Sequence, residues 1–357
     1  MTRVMLARWL RHRLFWPVVS LLALIVVNTV ARPQFMRITV RDGELYGALI
    51  DILRNSAPLM LVALGMTLVI ATRGIDLSVG AVMAVSGAVA LTIISDAADP
   101  GSTSTVLLAM AVGVGVALLL GLWNGLLVAV LDIQPIVATL VLMLAGRGVA
   151  LLITDGFITT VNSEPFEFVS TGYLFWLPFA LFISVGAIAA VALFERRTAL
   201  GVLTEAVGIN PEASRLAGVR SRGIILGAYV ASGTLAGIAG IIYSSNIRAA
   251  DANAAGEFIE LYAILAVVLG GTSLVGGKFT IAGTVIGVLI IQTLNSTILF
   301  LGVSSAQSPV FFAAVVIVVV LVQSPRVHRI ARGMTGGMRP RNLAAPSDEH
   351  ADAEVTA

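Results

Sequence analysis

The sequence predicts an all-α, polytopic membrane protein of about ten transmembrane helices, with broken or re-entrant helices and a weak internal repeat. Three observations carry this. Hydrophobic residues make up 58% of the 357-residue chain and charged residues only 12%, too few to coat a soluble domain of this size. The apolar residues fall into ten runs, most near the 20 or so residues that cross a bilayer. The charges gather at the termini and in one central loop, as the positive-inside rule requires.

In order, the predicted spans are Leu14–Ala31, Ile50–Thr72, Val79–Asp96, Val106–Leu131, Ile136–Thr154, Phe175–Phe194, Ile224–Ser244, Leu261–Val275, Ile281–Leu299 and Pro309–Val322. Arg3, Arg8, Arg11 and Arg13 precede the first. It reads either as a cleaved signal peptide ending near Thr29-Val30-Ala31 or as a retained helix. Its length and the spans that follow favour the retained helix, with a cytoplasmic N-terminus. Ten spans then return the C-terminus to the cytoplasm. Arg196, Arg197, Arg215, Arg220, Arg222, Lys278 and the tail arginines fall on that side, while 155–172 carries Asp155, Glu164 and Glu167 outside without a Lys or Arg. Arg32, Arg37 and Arg41 in the first outer loop are the misfit. The chain divides into an N-terminal segment 1–13, a membrane domain 14–323 with a cytoplasmic loop 195–223, and a polar tail 324–357 expected to be disordered.

Cysteine is absent, and His12, His328 and His350 lie in polar flanks, so no metal or catalytic constellation is expected. The net charge of +2 is too small to argue for a nucleic-acid partner. Gly276-Gly277-Lys278 resembles the end of a phosphate-binding loop but has Thr272 at the first glycine position and Phe279 after the lysine. No ATP site is therefore expected in this chain.

Several groups of residues stand out. Arg73, Gly74, Asp76, Ser78 and Gly80 interrupt two apolar runs, and polar groups in such a place mark a pathway or a helix break. Gly271-Thr-Ser-Leu-Val-Gly-Gly277 echoes Gly74–Gly80 and suggests a second break, at Gly271 and Gly277, of the kind repeated transporters carry. In the cytoplasmic loop, Asn210 is placed to cap a short helix opened by Pro211 and Glu212 and stopped at Gly218, with Ala213 and Ala217 on one face. That helix reads equally as a docking element or as a linker lying on the membrane. Trp123 with Asn124, and Gln292 with Asn295, put polar groups inside spans, as helix glue or pathway lining. Asn246 to Gly256, with Arg248, Asp251 and Asn253, is too polar to span and reads as a surface or re-entrant piece on the outer side. Arg147 needs a counter-ion, a carbonyl or water.

Together these residues resemble the permease subunit of a bacterial ATP-binding-cassette monosaccharide importer, the family of ribose, xylose and galactofuranose permeases, distantly related to branched-chain amino acid permeases. Met66–Ala81 and Ala206–Gly218 carry the match most specifically. Gly121–Gly125, Gln134–Thr139 and Leu269–Gly277 extend it. The galactofuranose permeases are resembled in particular, through Glu205–Asn210 and Asn246–Asn253. Arg73 departs from the pattern, standing where the family often has a second glycine; it would stiffen the break or pair with Asp76.

The resemblance implies a non-hydrolysing transport subunit in the bacterial inner membrane. It implies a periplasmic or extracellular sugar-binding protein, a second permease subunit, and a separate ATPase subunit that holds Mg-ATP. Residues Glu205, Gly208, Asn210, Glu212, Ala213, Arg215 and Gly218 then belong to the segment that couples to the ATPase. Trp123, Asn124, Gln292 and Asn295 become candidates to line the pathway, and Arg248, Asp251 and Asn253 candidates for an outer gate or docking surface. A branched-chain amino acid or nucleoside cargo, or an ion-coupled carrier using Asp76, are the alternatives.

Overall fold

The computed structural model describes residues 14–41, 43–304 and 307–323, so segment 1–13 and tail 324–357 lie outside the described residues. The described residues form thirteen α-helices: α1 (Phe15–Ala31), α2 (Ala48–Ala71), α3 (Val79–Ser95), α4 (Thr103–Ala129), α5 (Pro135–Ile153), α6 (Glu164–Thr171), α7 (Phe179–Arg197), α8 (Leu200–Ile209), α9 (Pro211–Leu216), α10 (Ser221–Ile247), α11 (Ile259–Leu269), α12 (Ile281–Phe300) and α13 (Ser308–Gln323). Each of the ten predicted spans coincides with one helix. Six of them, α2, α4, α5, α7, α10 and α12, are long and apolar enough to cross a bilayer; the others are shorter.

The core forms around α2, α3 and α10, whose side chains are largely buried, whereas α7 is the least buried of the long apolar helices. Small residues set the spacing. Gly121 and Gly125 on α4 face α10, where Gly233 and Gly237 sit four apart. A methyl group on Gly121 would stand 2.6 Å from the Tyr229 carbonyl oxygen, so the two backbones touch. Membrane helices associate through such contact because lipid offers no hydrophobic drive.

Two span ends and the central loop differ most from expectation. Span six starts at Phe179, not Phe175, because Tyr173–Leu174 and Leu177–Pro178 form a small hairpin with Phe175 and Trp176 in its left-handed turn. Span eight ends at Leu269, where the glycines Gly270 and Gly271 stop it. The central loop holds two helices, α8 and α9, because residues 200–209 are apolar and free of helix breakers except Gly201 and Gly208. The segments between helices contain a hairpin, Thr39–Arg41 with Glu44–Tyr46, and a ladder between Thr159–Thr160 and Ala249–Ala250.

The internal repeat acquires a different partner. After α2, the chain turns at Arg73 (φ 67°), runs extended, and restarts as α3. After α10, it turns at Arg248 (φ 53°), and restarts as α11. Both segments place Asp three residues and Ser or Asn five residues after the arginine, with glycine at Gly80 or Gly256. Asp76 Oδ1 accepts from the Ser78 amide, and Asp251 Oδ1 accepts from the Asn253 and Ala254 amides. The second break is thus 248–258, whereas 270–280 is a turn between α11 and α12.

The two breaks meet. A methyl group on Gly256 would lie 2.7 Å from the Gly80 Cα. Asp76 meets Ser232 and Met83 meets Gly240, so Gly80 lies at least seven residues short of the α10 end at Ile247. At 1.5 Å per residue the 248–258 segment dips about 10 Å back into the bundle. α11, with 11 residues, therefore runs only about half the bilayer. Irregular backbone at this depth is tolerated only inside protein or beside water.

Candidate functional site

Three places bring the singled-out residues together. The first is the end of the bundle that carries α8 and α9. Asn210 caps α9, its Oδ1 accepting from the amides of Glu212 at 3.1 Å and Ala213 at 3.0 Å. Pro211 opens the helix, and Arg215 and Glu212 pair across one turn at 3.3 Å on the exposed surface. Gly218 takes φ 86° just past the helix end, and Ala213 and Glu205 stay partly or fully accessible. Gly208, in the last turn of α8, is wedged between two other elements. A methyl group there would collide with the Ala71 carbonyl at the end of α2 and stand 2.5 Å from the Gly277 amide. Those two groups bond to each other, Gly277 N–H donating to the Ala71 oxygen at 3.0 Å. Arg73 Nη2 donates to the Ile209 carbonyl, so Arg73 turns away from Asp76 and ties the break to α8. Gly276 packs on the Arg73 side chain. Gly271 lies at the start of the same turn with φ 87°.

The second place is the α2–α3 break. Asp76 is 1% exposed. Ser78 Oγ donates to Asp76 Oδ1 at 2.6 Å and Ser232 Oγ to Oδ2 at 2.9 Å. Asn124 Nδ2 donates to Ser78 Oγ at 2.8 Å. Asp76 therefore fixes α3, α4 and α10 around the break, with Gly74 packed against the buried Tyr229 ring and Gly80 against Gly256. Ser232 was not singled out in the sequence, because a serine in a Gly- and Ala-rich helix carries no local signal.

The third place is a cavity of about 360 Å3 at the opposite end of α2, beside the re-entrant segment. Asn55, Tyr243, Glu257, Tyr262, Gln292 and Asn295 supply its polar groups. Gln292 and Asn295 share one face of α12, as their spacing of three requires, and neither side chain makes a hydrogen bond among the described residues. Pro58, inside α2, also lines the cavity and cannot donate to the Arg54 carbonyl one turn before it. Arg147 Nη1 holds the floor, donating to the carbonyls of Ala252 at 2.9 Å and Ala255 at 2.5 Å. Arg248 pairs with Glu167 at 3.1 Å, and Asn253 is exposed.

The four pathway candidates are thus divided. Gln292 and Asn295 line the cavity; Asn124 is buried in the Asp76 network; Trp123 is 54% exposed on the outer face of α4. Asn55, Tyr243, Glu257 and Tyr262 join the cavity from elements far apart in the chain, which no local pattern announced.

A helical bundle with two backbone breaks meeting at mid-depth and a cavity walled by unpaired amides defines a membrane transport protein. The chain belongs to the family described as branched-chain amino acid transport system / permease component, which it matches over residues 48–321. It is 48% identical to the galactofuranose transporter permease protein YtfT of Escherichia coli (strain K12), over 91% of this chain and 95% of that protein. It is 41% identical to the fructose import permease protein FruF of Bifidobacterium longum (strain NCC 2705), over 91% of each. It is 37% identical to the ribose import permease protein RbsC of Escherichia coli (strain K12), over 86% of this chain and 92% of that protein. No solved structure matches the chain. The chain is a multi-pass permease component of the ATP-binding-cassette importer class, a non-catalytic transport subunit. Permeases of this class work with an ATPase and a binding protein.

Proposed function

We propose that this permease passes a monosaccharide, galactofuranose or a related furanose or pentose sugar, into the cytoplasm. A sugar-binding protein delivers the cargo, a second permease subunit completes the passage, and Mg-ATP is hydrolysed on a separate subunit. The observation that carries the substrate class is the lining of the cavity. Amides, tyrosines and one carboxylate are the groups that exchange hydrogen bonds with sugar hydroxyls, and the cavity lies within the size range of small-molecule clefts. Arg54 borders an adjoining cavity that shares Asn55, Pro58 and Tyr243 with this one, where its Asp51 partner offsets its charge.

Both termini face the cytoplasm in this reading, so α8 and α9 meet the ATPase and the cavity opens to the outside. The sugar enters against Asn55, Gln292 and Asn295, above a floor formed by the re-entrant segment and held by Arg147. Arg248, Asp251 and Asn253 shape the rim of that segment. Closure of the ATPase moves α9; the motion passes through Gly208 to the end of α2 and the 270–280 turn. Asp76 is enclosed by the hydroxyls of Ser78 and Ser232 and is absent from the cavity lining, which weakens a carrier that uses it for ion coupling. The chain purified alone hydrolyses no ATP in this account. Stimulation of hydrolysis by the sugar-loaded binding protein, only when chain and ATPase are reconstituted together, tests it; hydrolysis by the isolated chain contradicts it.

A further inference from the structure

A second cavity, about 570 Å3, opens on the flank of the bundle where α7, α8 and α10 converge. It shares none of the residues of the sugar cavity. Its walls are apolar, with Val191 and Phe194 from α7 and Leu235 from α10. Gly223 and Gly227 form one side, and nothing lies within 4 Å of where their Cβ atoms would stand. Helix faces with glycines four apart usually pack on a neighbouring helix; here the face stays open. α7 has the smallest buried share of the long apolar helices, so the groove lies on an uncovered apolar flank.

Two ionisable side chains line this apolar groove, Glu195 from the last turn of α7 and Arg220 just before α10. Neither belongs to an ion pair among the described residues. The charged neighbours of Glu195 are Arg196 and Glu205, of opposite sign. An arginine and a carboxylate, unpaired with each other and set at the mouth of a hydrocarbon slot, ask for a ligand that carries an anion, a cation and an acyl chain together.

We propose that the groove binds one phosphatidylethanolamine molecule, with an acyl chain along the Gly223–Gly227 face, the phosphate at Arg220 and the ammonium at Glu195. Guanidinium–phosphate and ammonium–carboxylate contacts are charge-assisted hydrogen bonds, and basic pockets between membrane helices on the cytoplasmic side are known to take lipid headgroups. Phosphatidylglycerol satisfies Arg220 and leaves Glu195 without a cation. Phosphatidylcholine brings a positive charge with no N–H to donate. Gly201 and Thr204 of α8 also line the groove, so the bound lipid bears on the helix whose Gly208 touches α2 and the 270–280 turn. Occupancy therefore steadies α8 against the bundle.

Native mass spectrometry of the full chain, loaded from equimolar mixtures of the three lipids, tests this. The wild type is expected to retain one phosphatidylethanolamine in preference to the other two. Arg220→Gln is expected to weaken retention of all three lipids, each of which carries a phosphate, by about fivefold, the effect of one basic residue at a headgroup. Glu195→Gln is expected to weaken phosphatidylethanolamine alone, and Gly227→Leu to empty the groove. Both charge variants change residues at the groove mouth, so their folding is checked by an unchanged thermal transition in detergent. Equal retention of all three lipids by the wild type overturns the proposal, as does retention unaffected by Gly227→Leu. Because the chain has no cysteine, Gly227→Cys reports a different occupant: a disulfide between two copies in native membranes would show the groove covered by a second permease and overturn the lipid assignment.

Discussion

Replacing Gly208 with alanine adds one methyl group where α8 touches the end of α2 and the 270–280 turn. The new carbon falls on the Ala71 carbonyl oxygen and 2.5 Å from the Gly277 amide, where ordinary contact begins near 3.4 Å. α8 must retreat by about 1.5 Å or force Ala71 and Gly277 apart, which breaks their 3.0 Å hydrogen bond. Overpacking of this kind costs about 1–3 kcal/mol, and each buried group left unpaired about 1–3 kcal/mol. About 3 kcal/mol in total lowers the population of the intact junction by roughly two orders of magnitude. The assay is ATP-driven sugar uptake into proteoliposomes, with ATP hydrolysis measured in parallel. Gly208→Ala is expected to cut uptake at least tenfold while the assembled complex still hydrolyses ATP, and Gly208→Leu to abolish uptake. Wild-type uptake by Gly208→Leu in a correctly assembled complex would refute the coupling route.

Other perturbations probe the remaining parts. Asp76→Leu strands the Ser78 amide and two hydroxyls, at about 1–3 kcal/mol each, and should lower the thermal transition of the solubilised chain far more than Asp76→Asn, whose amide still meets Ser232. Neither variant should make uptake depend on a proton gradient. Gln292→Ala and Asn295→Ala each remove one hydrogen-bonding group from the cavity and should slow uptake at limiting sugar by about threefold to tenfold, at about 1 kcal/mol per bond, with assembly unchanged. Single cysteines at Glu212 and Glu164, introduced into this cysteine-free chain, should react with membrane-impermeant reagents from the cytoplasmic and outer sides respectively; the reverse pattern contradicts the orientation.

The spans were legible because a bilayer demands long apolar runs, and the α9 cap because Asn210-Pro211-Glu212 encodes a helix start locally. The Gly208 wedge was legible only as a glycine, since its partners Ala71 and Gly277 are brought in by the fold. Trp123 and Asn124 were read as a pair, yet adjacent helical residues point about 100° apart, and one faces outward while the other is buried. The true counterpart of the first break was hidden by one inserted residue. Arg73 and Gly80 are seven apart, Arg248 and Gly256 eight, and the alanines of 249–255 suggest no structure of their own. Gly271–Gly277 is similar to Gly74–Gly80 in sequence only: Gly271 and Gly277 take left-handed φ values of 87° and 88°, whereas Gly80 lies within α3. The α8 helix was missed because its apolar residues merged with a loop read mainly for its charges.

The most direct test of the account is uptake of a labelled monosaccharide by proteoliposomes containing this permease, its ATPase and its sugar-binding protein. Uptake is predicted to require internal ATP and the binding protein, to favour a furanose or pentose sugar over leucine, and to persist when ion gradients are collapsed. Uptake by the chain without the ATPase, driven by a proton or sodium gradient, would contradict it.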